Sequence, residues 1–507
     1  MNVSERIEKI KNADLAYTVV IRVEYVDSGA FRAPGAREED TLTGLPPFYR
    51  VTLLSKPDAK SKIISEAWLP EDPSWNGRFM GIGNGGLAGA IQYGKLATFL
   101  RLGFSSIQTD MGTSGGKYCG CNCPSVHKNF GWRSTRIMTI IGKAVTETHY
   151  GQKPHHSYFY GSSTGGQQAF SEAYRYPDDY DGIFACVPAL NRTNLHTYFL
   201  WSYQKLHTAD RQPMFTLEEI EKINRLAIKF FKERGDGEPD DPFISYPWID
   251  DDTPKTFVSW LAERMTLTDE QKNALIDVYT GPRDARDGRQ IYCGMPIGSE
   301  IFSGGLRTFT QNPVNCYLFN WVFGADYDYF SFDFGNDVDA VDDLLSAHTN
   351  ANDPDLSAFA AAGGKLIAYS GSSDPWVPYP ESFAYFEKVS ELMGGKEKTL
   401  DFFRYFLIPG RAHNGGKGAT EAYADKAGNV HAINALTDWV ENGKAPEFLY
   451  AVSRESEKDP EKKAFSRKIY PYGTDENPFR PHPKASDESY FVPLDREYLK
   501  YRTIGNK

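Results

Sequence analysis

Hydrolysis of an acyl bond by a serine requires a hydroxyl beside an imidazole, a carboxylate that fixes the imidazole, and backbone N–H groups facing the developing oxyanion. In this 507-residue chain the pattern G-x-S-x-G, which places a serine on a sharp strand-to-helix turn, occurs twice. The two copies are Gly112-Thr-Ser114-Gly-Gly116 and Gly161-Ser-Ser163-Thr-Gly165. Ser114 runs into Lys117-Tyr-Cys-Gly120, which has no helical pattern, and reads as a loop residue. Ser163 follows the strand-like stretch 157–160 and precedes Ala169, Phe170 and Ala173 at helical spacing, so it is the predicted nucleophile.

The remaining groups should come from loops after later strands, in the order serine, aspartate, histidine. The apolar run 365–369 leads into Ser370-Gly-Ser-Ser-Asp374-Pro-Trp376, and the run 402–408 leads into Pro409-Gly-Arg-Ala-His413-Asn. Asp374 and His413 each occupy the slot where parallel sheets gather ligand and catalytic groups. An aspartate cap and a surface histidine are the bland alternatives. The oxyanion donors would be the N–H of Thr164 and one from the loop Gly83-Asn-Gly85-Gly86, which could also be a plain tight turn.

These groups need a scaffold, and the hydropathy pattern supplies one. Residues 16–26, 49–55 and 61–68 alternate like antiparallel strands. From Pro70 to about residue 190, and again after 350, strands alternate with helices: strands over 78–83, 104–109, 157–160, 182–187, 365–369 and 402–408; helices over 132–149, 164–174, 380–393 and 431–442. That alternation predicts an α/β protein with a mostly parallel central sheet covered by helices. Residues 191–349 lose it and read as an inserted lid, rich in aromatics over 317–334, so the catalytic domain would be discontinuous, 1–190 with 350–507. The final 60 residues, polar and Pro-rich, should be an extended tail on the core.

Composition excludes several classes. The 56 Lys plus Arg against 67 Asp plus Glu give a formal charge of −11, which argues against a general nucleic-acid binder. No run approaches the roughly 20 apolar residues that span a bilayer. The six cysteines are too few and too unevenly placed for a disulfide scaffold, and Cys119-Gly-Cys121-Asn-Cys123 is tighter than common zinc spacings.

Several motifs together resemble the tannase and feruloyl esterase family over nearly the whole chain. They are Trp75-Asn-Gly-Arg-Phe79 with the glycine loop to Gly89, Tyr160-Gly-Ser-Ser-Thr-Gly-Gly166, Tyr176-Pro-Asp-Asp-Tyr-Asp-Gly182, Tyr279-Thr-Gly-Pro-Arg283, and Pro409 to Gly416. The resemblance implies an α/β-hydrolase fold with a large inserted lid and hydrolysis of feruloyl- or galloyl-type esters through an acyl-enzyme. The substrate would be a small aromatic ester, plant-derived esters among them, with no catalytic cofactor. The lid aromatics would stack on the phenolic ring and Trp376 would wall the pocket, with core packing as the competing role for each aromatic. A catalytically silent binding protein of the same fold, or a hydrolase of another aromatic ester, is the alternative.

Two departures stand out. The family's disulfide between the residue before the nucleophile and the residue after the histidine is replaced here by Ser162 and Asn414, which are expected to hydrogen-bond. Loss of that bridge, with no apolar leader at the N-terminus, points to the cytoplasm, or to secretion in an anaerobic habitat if a signal peptide was removed. The family's calcium loop is matched imperfectly by Glu233, Asp236, Glu238 and Asp240, which can offer oxygens to Ca2+ or form an ordinary acidic surface loop.

Overall fold

The computed structural model describes residues 1–247, 252–313 and 315–477. Its centre is a nine-stranded sheet whose strands, in chain order, are β1 (Thr18–Val26), β2 (Phe48–Ser55), β3 (Ile63–Pro70), β4 (Arg78–Ile82), β5 (Ser105–Thr109), β6 (His156–Ser162), β7 (Gly182–Cys186), β8 (Lys365–Gly371) and β9 (Phe403–Ile408). They lie in the order β1-β2-β3-β5-β4-β6-β7-β8-β9. The first three pair antiparallel with one another and β3 pairs antiparallel with β5; every pairing from β5 to β9 is parallel.

Local sequence explains the division. Outermost β1 alternates and leaves Val19 and Ile21 exposed, as a strand covered on one side does. The parallel strands β7 and β8 are almost wholly buried, and their runs GIFAC and KLIAYSG are near-continuously apolar because helices cover both faces. On one face α2 (Ser134–Tyr150), α3 (Thr164–Arg175) and the helix Tyr379–Met393 bury Ile141, Phe170 and Phe386 against the sheet. On the other, α1 (Tyr93–Arg101) and the helix Ile433–Asn442 bury Leu96, Phe99, Leu436 and Trp439. The latter helix ends on Gly443 at φ 69°, the left-handed cap its sequence predicts.

Helix α1 was not legible, because its nine residues directly follow the glycine loop. The tail expectation is corrected in part: 449–453 and 465–469 form a three-stranded antiparallel sheet with 421–423, and the rest of that expectation, 478–507, lies outside the described residues. Between β7 and β8, neighbours in the sheet, the chain leaves for the helical insertion 191–349, which carries its own apolar core around Ile223, Phe230, Leu275 and Tyr279. The aromatic stretch 317–334 packs with Phe130 and Trp201 in an apolar core, the second of the two roles open to the lid aromatics.

Candidate active site

Three loops at the C-terminal ends of β6, β8 and β9 bring together the groups that sequence spacing singles out. Ser163 sits between β6 and α3 with φ 61° and ψ −113°, the strained turn that lifts a side chain off the sheet edge. The turn is possible because its neighbours lack side chains. A Cβ on Gly161 would lie 2.0 Å from the Gly165 carbonyl oxygen, and one on Gly83 would lie 2.5 Å from the Gly165 Cα. His413 Nε2 is 3.1 Å from Ser163 Oγ, and His413 Nδ1 is 2.8 Å from Asp374 Oδ2. Asp374 is fully buried, and its Oδ1 accepts the backbone N–H groups of Trp376 at 2.8 Å and Val377 at 3.1 Å. Ser114 is exposed in a turn away from these groups.

Thr164 is the first residue of α3, so its N–H has no carbonyl partner within its own helix. Its hydroxyl donates to the Gly86 carbonyl at 2.7 Å, tying the glycine loop to the elbow. Two residues that sequence reading missed complete this tie. Gln168 accepts the Asn84 N–H at 2.8 Å, and Arg192 of the insertion donates to Thr164 Oγ at 2.8 Å and to Gln167 Oε1 at 2.8 Å. Neither is visible in one dimension, since an arginine opening a helix reads as a solvated charge. Arg192→Leu is expected to lower kcat about tenfold, the equivalent of one partly misplaced donor, with a smaller change in KM. Michaelis parameters on an aromatic ester check this; a change in KM alone would reduce Arg192 to a cavity wall.

The expected Ser162–Asn414 hydrogen bond does not form. The insertion supplies the clamp instead, through Ser303, a non-glycine residue at φ 47°. Ser303 Oγ accepts the Asn414 N–H at 2.9 Å and its carbonyl accepts the Trp376 indole N–H at 2.6 Å, so one residue holds both the histidine and the aspartate loops. All six cysteines are free thiols.

Above Ser163 lies a cavity of about 760 Å³ that reaches Gly85, Gly86 and His413. Leu195, Phe199, Trp376 and Val377 form an apolar wall, so Trp376 lies where the sequence predicts. Lys95, Tyr160, Tyr369, Arg411 and Glu421 form a polar one.

The acidic loop of the insertion does not fit calcium. Asp236 is buried, and its carboxylate takes the N–H groups of Ser245 and Tyr246 and the ammonium of Lys232 at 3.1 Å. Glu233 pairs with Lys229, Glu238 and Asp240 are exposed, and Asp241 is held by both arms of Arg467. Among the described residues no three His, Cys, Asp or Glu side chains approach one another as a metal-holding group. The positive charge beside Asp236 is that of Lys232, on the turn before the loop. Chelation followed by dialysis is therefore expected to leave Tm unchanged. Lys232→Met is expected to destabilise by about 2 kcal/mol, less than a fully buried broken pair because two N–H bonds to Asp236 remain. Differential scanning calorimetry reads both, and a fall in Tm on chelation would restore the calcium reading.

The family described as tannase and feruloyl esterase matches residues 50–485. A probable feruloyl esterase B of Aspergillus niger is 32% identical over 435 residues, covering 79% of this chain and 78% of its own. A probable feruloyl esterase B-1 of Aspergillus terreus is also 32% identical, covering 81% and 80%. Among solved structures, an esterase from Aspergillus oryzae superposes with a TM-score of 0.78 at 26% identity, covering 92% of this chain and 96% of the other. Feruloyl esterase B from the same organism shares the fold with a TM-score of 0.80 at 24% identity and the same coverage.

Proposed function

Because the chain belongs to the tannase and feruloyl esterase family, we infer that it cleaves feruloyl- or galloyl-type esters with Ser163 as nucleophile, His413 as acid and base, and Asp374 as the group that orients the imidazole. The observation that carries this reading is the unbroken chain of contacts from Asp374 through His413 to Ser163 at the floor of the cavity. The enzyme is a carboxylic ester hydrolase with the α/β-hydrolase fold, and its substrate is an aromatic ester.

Ser163 Oγ attacks the ester carbonyl carbon while His413 Nε2 takes the hydroxyl proton. The carbonyl π electrons move to oxygen, which turns toward the N–H groups of Thr164 and the Gly85-Gly86 loop. Collapse expels the alcohol, which receives the proton from His413 and leaves an acyl-Ser163 ester. Water then repeats the sequence, with His413 as base, and frees the acid. The aromatic acyl group suits the apolar wall, where Phe199 and Trp376 meet edge to face at 5.5 Å. Residues 191–349, which supply Leu195 and Phe199 to that wall, act as the lid.

Six free thiols suit a reducing compartment. Among the described residues no helix is long and apolar enough to cross a membrane. The deciding assay is release of phenolic acid from methyl ferulate and methyl gallate, and of nitrophenol from a short-chain nitrophenyl ester. Turnover of the aromatic esters is expected, and failure on all three would sink the reading.

A further inference from the structure

The polar wall of the cavity contains a buried guanidinium that has no direct polar partner among the described residues. Arg411 is only 7% exposed, yet among the described residues its guanidinium has no hydrogen bond or ion pair, and its Nε is buried without an acceptor. It rests at 5.2 Å over the ring of Tyr369, whose hydroxyl burial holds above its usual range and therefore neutral. A buried, unpaired cation is costly unless something completes it. Lys95, in the same wall, likewise has no side-chain partner, and burial pushes its ammonium below the usual range although Glu421 opposes that shift. Glu421 is the acid of this wall, and it contacts neither cation within ion-pair distance. Asp374 and Glu421 act on Arg411 only through space, and the third cation of the cavity, Arg192, is already committed to Thr164 and Gln167, so Arg411 and Lys95 are the cations left open to a ligand.

We propose that Arg411, with Lys95, forms an anion subsite that binds a carboxylate on the alcohol half of the ester, so that the preferred substrates are aromatic acyl esters of hydroxy acids. The proposal rests on the esterase reading above and adds the identity of the leaving group. Position assigns the alcohol half. The imidazole must reach the leaving oxygen to protonate it, so the alcohol lies toward the loop of His413, and Arg411 is two residues earlier on that loop. The apolar wall of Leu195, Phe199 and Trp376 takes the acyl ring. A planar guanidinium offers two parallel donors in the geometry that a carboxylate accepts.

The test uses a matched pair, O-feruloyl glycolate and its methyl ester, which differ chiefly in charge. Calorimetry on the full-length Ser163→Ala protein gives both Kd values without turnover. The free acid is expected to bind roughly 10- to 100-fold tighter, the range of a charge-assisted contact. That preference should vanish in Ser163→Ala/Arg411→Gln and partly persist in Ser163→Ala/Arg411→Lys. Equal affinity for the pair, no detectable binding of either, or a preference that survives Arg411→Gln overturns the subsite. If the glutamine variant does not fold, the pair measured on Ser163→Ala alone still decides. Unaltered protein that fails to turn over methyl ferulate, methyl gallate and the nitrophenyl ester would overturn the esterase reading instead, and leaves the Kd comparison valid.

Discussion

Ser163→Ala is expected to reduce kcat/KM for methyl ferulate by about 10³-fold or more, because only binding and the oxyanion donors then remain to accelerate the reaction. Nothing else at the elbow changes. Among the described residues the serine side chain makes one hydrogen bond, with His413 at 3.1 Å, and alanine keeps the same backbone with φ at 61°. Its strain is already met by the close approach of Gly161, Gly165 and Gly83, so Tm should move little. Initial rates, with circular dichroism to confirm an unaltered fold, check both halves. Equal rates for the two proteins would sink the assigned mechanism, whatever the substrate.

Asp374→Asn should be nearly as damaging, with a loss on the order of 10³- to 10⁴-fold in kcat. The reason lies in what surrounds each carboxylate oxygen. Oδ1 faces two N–H donors, from Trp376 and Val377, so in asparagine the carbonyl oxygen must take that place and the NH2 must face His413. A donor opposite Nδ1 forces the imidazole proton onto Nε2, where it points at Ser163 and cannot accept the hydroxyl proton. The backbone bonds are kept, so the protein should remain folded while losing rate. Comparable activity in the asparagine variant would show that the imidazole is oriented by another group.

The triad was legible because each member is announced by a local pattern: glycines around Ser163, and a buried apolar strand running into a loop before Asp374 and before His413. Parallel strands buried on both faces are short and strongly apolar, so their ends can be located in one dimension. Other readings turned on partners that the spacing of residues does not reveal. Asp236 looked like a metal ligand beside Glu238 and Asp240, and only the fold aims it at Lys232 and at the N–H groups of Ser245 and Tyr246. Ser162 and Asn414 occupy the sites of a lost crosslink, but the actual clamp is Ser303, 111 residues before Asn414. The aromatics of 317–334 suggested a substrate platform and became a core, since hydrophobic side chains pack wherever apolar surface is nearest.

By itself, then, the sequence determined which serine, aspartate and histidine meet at the sheet edge, the alternation that builds the sheet, and the elbow, all of which follow from the residue types within a few positions. The tertiary structure alone decided how the site is completed: Arg192 of the insertion on Thr164 and Gln167, Ser303 between the aspartate and histidine loops, and Arg411 in the cavity wall with its Nε lacking an acceptor among the described residues. These depend on long-range packing and on the desolvation of charges, and neither is written in the spacing of neighbours. A buried arginine and a solvated one are the same letter until the fold decides what lies beside them.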